Sequence, residues 1–205
     1  MKNILLASNS DALFDLDYTI AGKAKDKVKW AYITTAGNDV PNDDYLERTE
    51  ARLKELAWDY EEMDITGKTE DEVYDMLKSK DAIFMQGGNT FYLLKQALAC
   101  NFSKVLKKLL SEGMFYAGTS AGSYLPCPNI EMMDWTEDAK FDRHGLTDLT
   151  ALGIVPLQVV AHMNRKEDIY DKIKKKADKS PYDVHLLNDG QAVLIEDDKV
   201  TLLGV

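Results

Sequence analysis

The sequence predicts an α/β fold built on a mostly parallel central sheet, and three observations lead there. Short apolar runs of strand length alternate with stretches of helical spacing through most of the chain. Several of the runs end in small-residue or glycine turns. With 205 residues, 45% of them hydrophobic, the chain can cover both faces of such a sheet, and strands buried on both faces read as continuous apolar runs.

The elements follow in order. Ile4 to Ala7 is a first strand that turns polar at Ser8-Asn9-Ser10, and Val28 to Thr34 is the second, ending at Ala36-Gly37. Asp44 to Trp58 has helical spacing through Leu46, Leu53, Leu56 and Ala57, with Asp43 or Asp44 as its cap. Tyr60 to Ile65 is a weak strand. Thr69 and Glu72 have the spacing of a capping box, ahead of an apolar face made by Val73, Met76 and Leu77. Ala82 to Met85 is a strand that runs into Gln86-Gly87-Gly88-Asn89-Thr90. Two helices, Phe91 to Leu98 and Phe102 to Leu110, are separated near Asn101, and Met114 to Ala117 is the next buried strand. Pro126 to Leu149 lacks periodicity and is expected as a long surface excursion, of the kind that is functional or disordered in compact domains. Leu157 to Ala161 resumes regular structure, followed by a helix over roughly Lys166 to Lys176. Val184 to Leu187, Ala192 to Ile195 and Val200 to Leu203 close the chain as short strands.

Composition bounds the function. One domain over residues 1–205 is the expectation from length. The net charge of 25 − 35 = −10 argues against nucleic acid as a partner, because phosphate binding needs a dense basic surface. The one basic run, Lys172, Lys174, Lys175 and Lys176, reads as a solvated helix face. No stretch approaches the roughly 18 apolar residues of a membrane span, and no signal pattern opens the chain. Two cysteines without metal-type spacing suit a reducing cytoplasm.

The chemistry centres on Gly118-Thr119-Ser120-Ala121-Gly122, which follows a buried strand and precedes a helix. A nucleophile elbow needs that context: a sharp turn forces the serine into a sparsely populated conformation, and the flanking glycines remove side chains that would collide. The helix start would add an N–H and a favourable dipole for an oxyanion. Gly87-Gly88, at another strand end, is the candidate for a second donor, with Asn89 or Thr90 able to cap the next helix. A serine needs a base. Of the three histidines, His162 lies at a strand end, His144 in the acidic excursion and His185 inside a strand, so His162 is favoured. An acid between serine and histidine would complete a triad; Glu131, Asp134, Glu137, Asp138, Asp142 and Asp148 are all available, and spacing does not choose among them. Cys127, flanked by prolines and lacking an elbow, is a weak alternative nucleophile.

These residues resemble the peptidase E (aspartyl dipeptidase) family of serine peptidases, which includes cyanophycinase-like members. The likeness rests on Leu6-Ala7-Ser8-Asn9-Ser10, Ala36-Gly37, Gly87-Gly88-Asn89-Thr90-Phe91 with Leu93-Leu94-Lys95, and Gly118-Thr119-Ser120-Ala121-Gly122. It continues through Cys127-Pro128, Pro156-Leu157-Gln158 with His162, and Asp189-Gly190-Gln191-Ala192-Val193-Leu194. The resemblance implies a three-layer α/β/α fold like that of class I glutamine amidotransferases (flavodoxin-like). It implies Ser120 as nucleophile, His162 as base and the Gly88 and Ala121 amides as oxyanion donors. The family's aspartate falls beside Asp134 and Trp135, which makes Asp134 the third member, with Glu131 as the fallback. The family's removal of N-terminal aspartate requires a cationic subsite; Arg165 and Arg143 are candidates, and Asn89 is a further candidate substrate contact. The expected activity is that of a serine peptidase on small peptides, with no metal or cofactor and compatible with a homodimer. The rival readings are an esterase, a cyanophycinase-like β-aspartyl peptidase and a non-catalytic ligand-binding pseudoenzyme on the same scaffold.

Overall fold

The computed structural model describes residues 3–41, 44–136 and 142–204. Five parallel strands form most of its main sheet: β1 (Asn3–Ala7), β2 (Lys29–Ile33), β3 (Asp59–Met63), β4 (Ala82–Met85) and β5 (Phe115–Thr119). The antiparallel strands β8 (Ala192–Glu196) and β9 (Lys199–Leu203) extend one edge, giving the order β3-β2-β4-β5-β1-β8-β9. A separate parallel pair, β6 (Leu157–Val160) and β7 (Asp183–Leu186), stands outside that sheet.

Alternation along the strands explains the layers, because successive side chains point to opposite faces. Ile4, Leu6, Ile83, Met85 and Tyr116 pack on one face with α3 (Glu70–Leu77), α4 (Thr90–Ala99) and α5 (Phe102–Ser111). Leu5, Ala7, Trp30, Tyr32, Phe84 and Phe115 face the other side, under α1 (Ser10–Asp15) and α2 (Asp44–Glu55). The result is the three-layer α/β/α arrangement that the sequence predicts.

Local chemistry sets the boundaries. The Thr69 capping box forms in full, with Thr69 Oγ1 accepting from Glu72 N–H and Glu72 accepting from Thr69 N–H. Asn101 adopts φ +53° between α4 and α5, a conformation asparagine tolerates better than most residues. Helix α2 stops at Glu55, short of the expected Trp58. Ala57 takes φ +53°, and the chain turns back so that Trp58 stacks on Trp30 at 4.7 Å. Of its two proposed caps, Asp43 lies outside the described residues, as do Glu137 and Asp138.

Two expectations need correction. The excursion is anchored: Ile130, Met132, Met133 and Trp135 are buried, and Asn129 bridges Thr150 across its base. The helix expected from Lys166 begins as 3-10 turns at Met163–Arg165 and Glu167–Ile169, and α7 covers only Tyr170–Ala177. Among the described residues no helix is long and apolar enough to cross a membrane.

Candidate active site

Strands β4, β5 and β1 are neighbours in the sheet, and their carboxyl ends open on one side, where open α/β sheets bind ligands. A crevice of about 1190 Å³ lies there, reached by Gly87, Gly88, Ser120 and His162.

Ser120 leaves β5 with φ +50° and ψ −114°, a strained backbone for a residue with a side chain. The surrounding packing imposes it. A Cβ on Gly118 would lie 2.2 Å from Gly122 O, and one on Gly122 would lie 2.1 Å from Met85 O. Strand β5 and α6 (Ala121–Tyr124) therefore approach more closely than any alanine would permit. Ser120 N–H donates to Ala7 O at 3.1 Å, which pins the turn to the end of β1. With only four residues, α6 supplies the Ala121 amide and little dipole, contrary to the expectation from sequence.

The Gly87-Gly88 turn runs beside this elbow. A Cβ on Gly87 would lie 3.0 Å from Ser120 Cβ and 3.7 Å from Ala121 N. Gly88 has φ +149°, and a Cβ there would lie 2.2 Å from Ala36 O. Among the described residues neither Gly88 N–H nor Ala121 N–H donates a hydrogen bond. Gly88 lines the crevice, and Ala121 directly follows Ser120, which also lines it.

His162 follows β6 with φ +60°. Its Nε2 lies 3.1 Å from Ser120 Oγ, and its Nδ1 lies 2.6 Å from Asp189 Oδ1. Arg165 Nε donates to the other oxygen, Asp189 Oδ2, at 2.6 Å. The hydroxyl of Tyr124 accepts from Ala161 N–H at 3.1 Å, tying α6 to the residue before the histidine. Burial holds the His162 pKa below the usual histidine value; Asp189 opposes the shift, while Arg165 and Lys166 add to it. Burial alone would raise the Asp189 pKa, but His162, Arg165 and the Ser8 hydroxyl hold its carboxyl below the usual carboxylate range. A serine hydroxyl, a largely neutral imidazole and an ionised carboxylate in hydrogen-bonded series can pass a proton from the hydroxyl to the ring.

The carboxylate against His162 is Asp189, and this corrects the assignment of Asp134. Met132 and Met133 turn inward from their 3-10 turn, which leaves Asp134 half-exposed and paired with Arg143. Glu131 is exposed in the same turn, and neither acid reaches the crevice. Asp142 and Asp148 accept from the amides of His144 and Thr150, so they cap local turns.

Asn89 is also corrected. It is fully buried, its Oδ1 accepts from Phe91 N–H and Tyr92 N–H at the start of α4, and its Nδ2 donates to Asp39. His144 joins that cluster at 2.8 Å from Asp39 Oδ2, and His185 lies 3.2 Å from Asp183. Arg143 is held by Asp134 over the ring of Phe91. Arg165 does line the crevice, with its guanidinium on Asp189. Cys127 is buried, and burial pushes its thiol up to about 12, which rules out a ready thiolate. Among the described residues no group of three or more His, Cys, Asp or Glu side chains could hold a metal ion.

The profile of peptidase family S51 matches residues 4–203. The chain belongs to peptidase family S51. An uncharacterized peptidase of Pasteurella multocida is 27% identical over 210 residues, covering 100% of this chain and 98% of the relative. Peptidase E of a Shewanella species is 32% identical over 138 residues, which is 65% of this chain and 53% of that protein. A crystal structure from Listeria monocytogenes, provisionally described as a peptidase E protein, superposes with a TM-score of 0.80 at 26% identity, covering 100% and 99% of the two chains. Membership of S51 makes the chain a peptidase, and the matched segments that carry Ser10, Gly88, Ser120 and His162 meet at one crevice.

Proposed function

We propose that this S51 member is a serine peptidase that hydrolyses small peptides through an acyl-enzyme on Ser120. The observation that carries the reading is the continuous series Ser120 Oγ, His162, Asp189, with contacts of 3.1 and 2.6 Å, at the mouth of one crevice. His162 takes the Ser120 proton as Oγ attacks the scissile carbonyl. The Gly88 and Ala121 amides receive the oxyanion. His162 then protonates the leaving amine, and water attacks the acyl-enzyme by the same route. Asp189 holds the ring in the tautomer with its proton on Nδ1 and stabilises the imidazolium that forms. An acid hydrogen-bonded to His162 favours this reading over a non-catalytic scaffold.

The substrate class we favour is short peptides with an N-terminal aspartate, as the resemblance to the peptidase E (aspartyl dipeptidase) family implies. The crevice supports it with cations: Arg48, Arg165 and Lys166 line it. Among the described residues Arg48 makes no ion pair or hydrogen bond, and a guanidinium in that state suits a substrate carboxylate.

The test compares wild type with Ser120→Ala on a panel of Asp-Xaa, Ala-Xaa and β-aspartyl dipeptides and on simple esters. Wild type is expected to cleave Asp-Xaa fastest and to take a fluorophosphonate on Ser120, with both lost in the variant. Equal rates from the two proteins would defeat the mechanism, and a preference for β-aspartyl peptides or esters would replace the substrate.

A further inference from the structure

Consecutive residues at the end of β1 touch both halves of the candidate machinery. Ala7 O accepts from Ser120 N–H at 3.1 Å and shares the Ser123 hydroxyl with Gly118 O, each at 2.7 Å, so it holds the elbow. Ser8, fully buried, reaches the other half. Its Oγ accepts from His162 N–H at 2.9 Å and donates to Asp189 Oδ1 at 3.1 Å. Its own N–H donates to Gln191 O at 2.9 Å, in the turn that carries Asp189.

A hydroxyl has one proton to give. Because the His162 amide approaches the oxygen as a donor, the Ser8 proton is committed to Asp189. Asp189 Oδ1 therefore receives two hydrogen bonds, from Ser8 and from the His162 ring, while Arg165 holds Oδ2. The bond to His162 N–H also fixes a backbone at φ +60°, a conformation that an unrestrained histidine leaves readily. Alanine would leave a buried backbone N–H and one carboxylate position unmet at the same point.

We propose that Ser8 is a positioning residue for this reaction: its hydroxyl grips the backbone of His162 and the carboxylate of Asp189 together, and so sets where the imidazole meets Ser120. The inference rests on the serine-peptidase reading above. It assigns a task to the first of the matched turns, which the proton-transfer series itself leaves without one.

The experiment uses Ser8→Ala, Ser8→Cys and Ser8→Thr in the full chain. Cysteine keeps the approximate shape with a poor donor, and threonine keeps the hydroxyl. Small displacements of a catalytic group are expensive, so kcat on a small peptide is expected to fall about 10- to 100-fold in the alanine and cysteine variants. KM should stay within about twofold, and Ser8→Thr should retain most of the rate. The low-field proton resonance of His162 Nδ1–H, read without substrate, should move in the first two variants and hold in the third. Wild-type kcat with an unmoved resonance in Ser8→Ala overturns the proposal. So does an equal loss in all three variants that follows their melting temperatures, which would assign Ser8 to packing. If wild-type Ser120 takes no fluorophosphonate, the peptidase reading fails on its own account, and an unmoved resonance would then overturn the role of Ser8 separately.

Discussion

The two arms of the site are held by different physics. The arm bearing Ser120 is built from sheet and close packing: strands β4, β5 and β1 lie side by side, and backbone at Gly118, Gly122 and Met85 approaches too closely for any side chain. The arm bearing His162 and Asp189 comes from the end of β6 and the turn before β8, and side-chain hydrogen bonds from Ser8, Arg165 and Tyr124 hold it. Core packing in the first arm tolerates little change in volume, whereas single polar groups decide the second.

The sharpest break falls in the polar arm. Asp189→Asn should lower kcat by about 10⁴-fold, since an amide favours the wrong imidazole tautomer. Asp134→Asn, which loses only an exposed pair with Arg143, should keep activity within about twofold. Comparable losses in the two variants would reverse the choice between these acids.

The packed arm should break by unfolding instead. Gly118→Ala places a Cβ 2.2 Å from Gly122 O and should cost about 3 kcal/mol or more. Gly190→Ala, beside Asp189 with φ +85° and open space around it, should cost only about 1 to 2 kcal/mol. Thermal denaturation separates them, and equal losses would mean that the elbow is less crowded than its geometry implies.

The smallest effect is on pH dependence. The proposed mechanism needs neutral His162, whose pKa burial holds low, so the acid limb of kcat/KM should lie below about 6.5. For stability the sign is the same for both partners. Folded His162 and Asp189 bind protons more weakly than the unfolded chain, so their contributions are present above about pH 6.5 and about pH 3.9 respectively. Each is lost as pH falls through the depressed folded value. An acid limb at or above 6.5, measured alongside denaturation between pH 8 and 4, would contradict this.

The contrast also accounts for what the sequence disclosed. The alternation of strands and helices, the capping box at Thr69 and the bend at Ser120 are local, so residue type and spacing reveal them. Asp189 is not local. Which carboxylate meets His162 depends on the turn after β7 coming to lie beside β1, and an acid in the order serine, acid, histidine was the natural expectation. Its one visible signal was an Asp-Gly turn within a matched motif. Asn89 misled for another reason: the same side chain can cap a helix or meet a ligand, and only burial tells the two apart. The six-residue helix α1 was too short to show a period, and buried Met132, Met133 and Trp135 were hidden in an aperiodic stretch because their partners are remote in sequence.

The insertion of β8 between β1 and β9 has a consequence for biosynthesis. The turn carrying Asp189 is fixed on one side by a strand made after it, so a nascent chain presents Ser120 long before its imidazole and carboxylate can be locked beside it. On the proposed mechanism, the series from Ser120 through His162 to Asp189 is complete only once β8 has paired with β1.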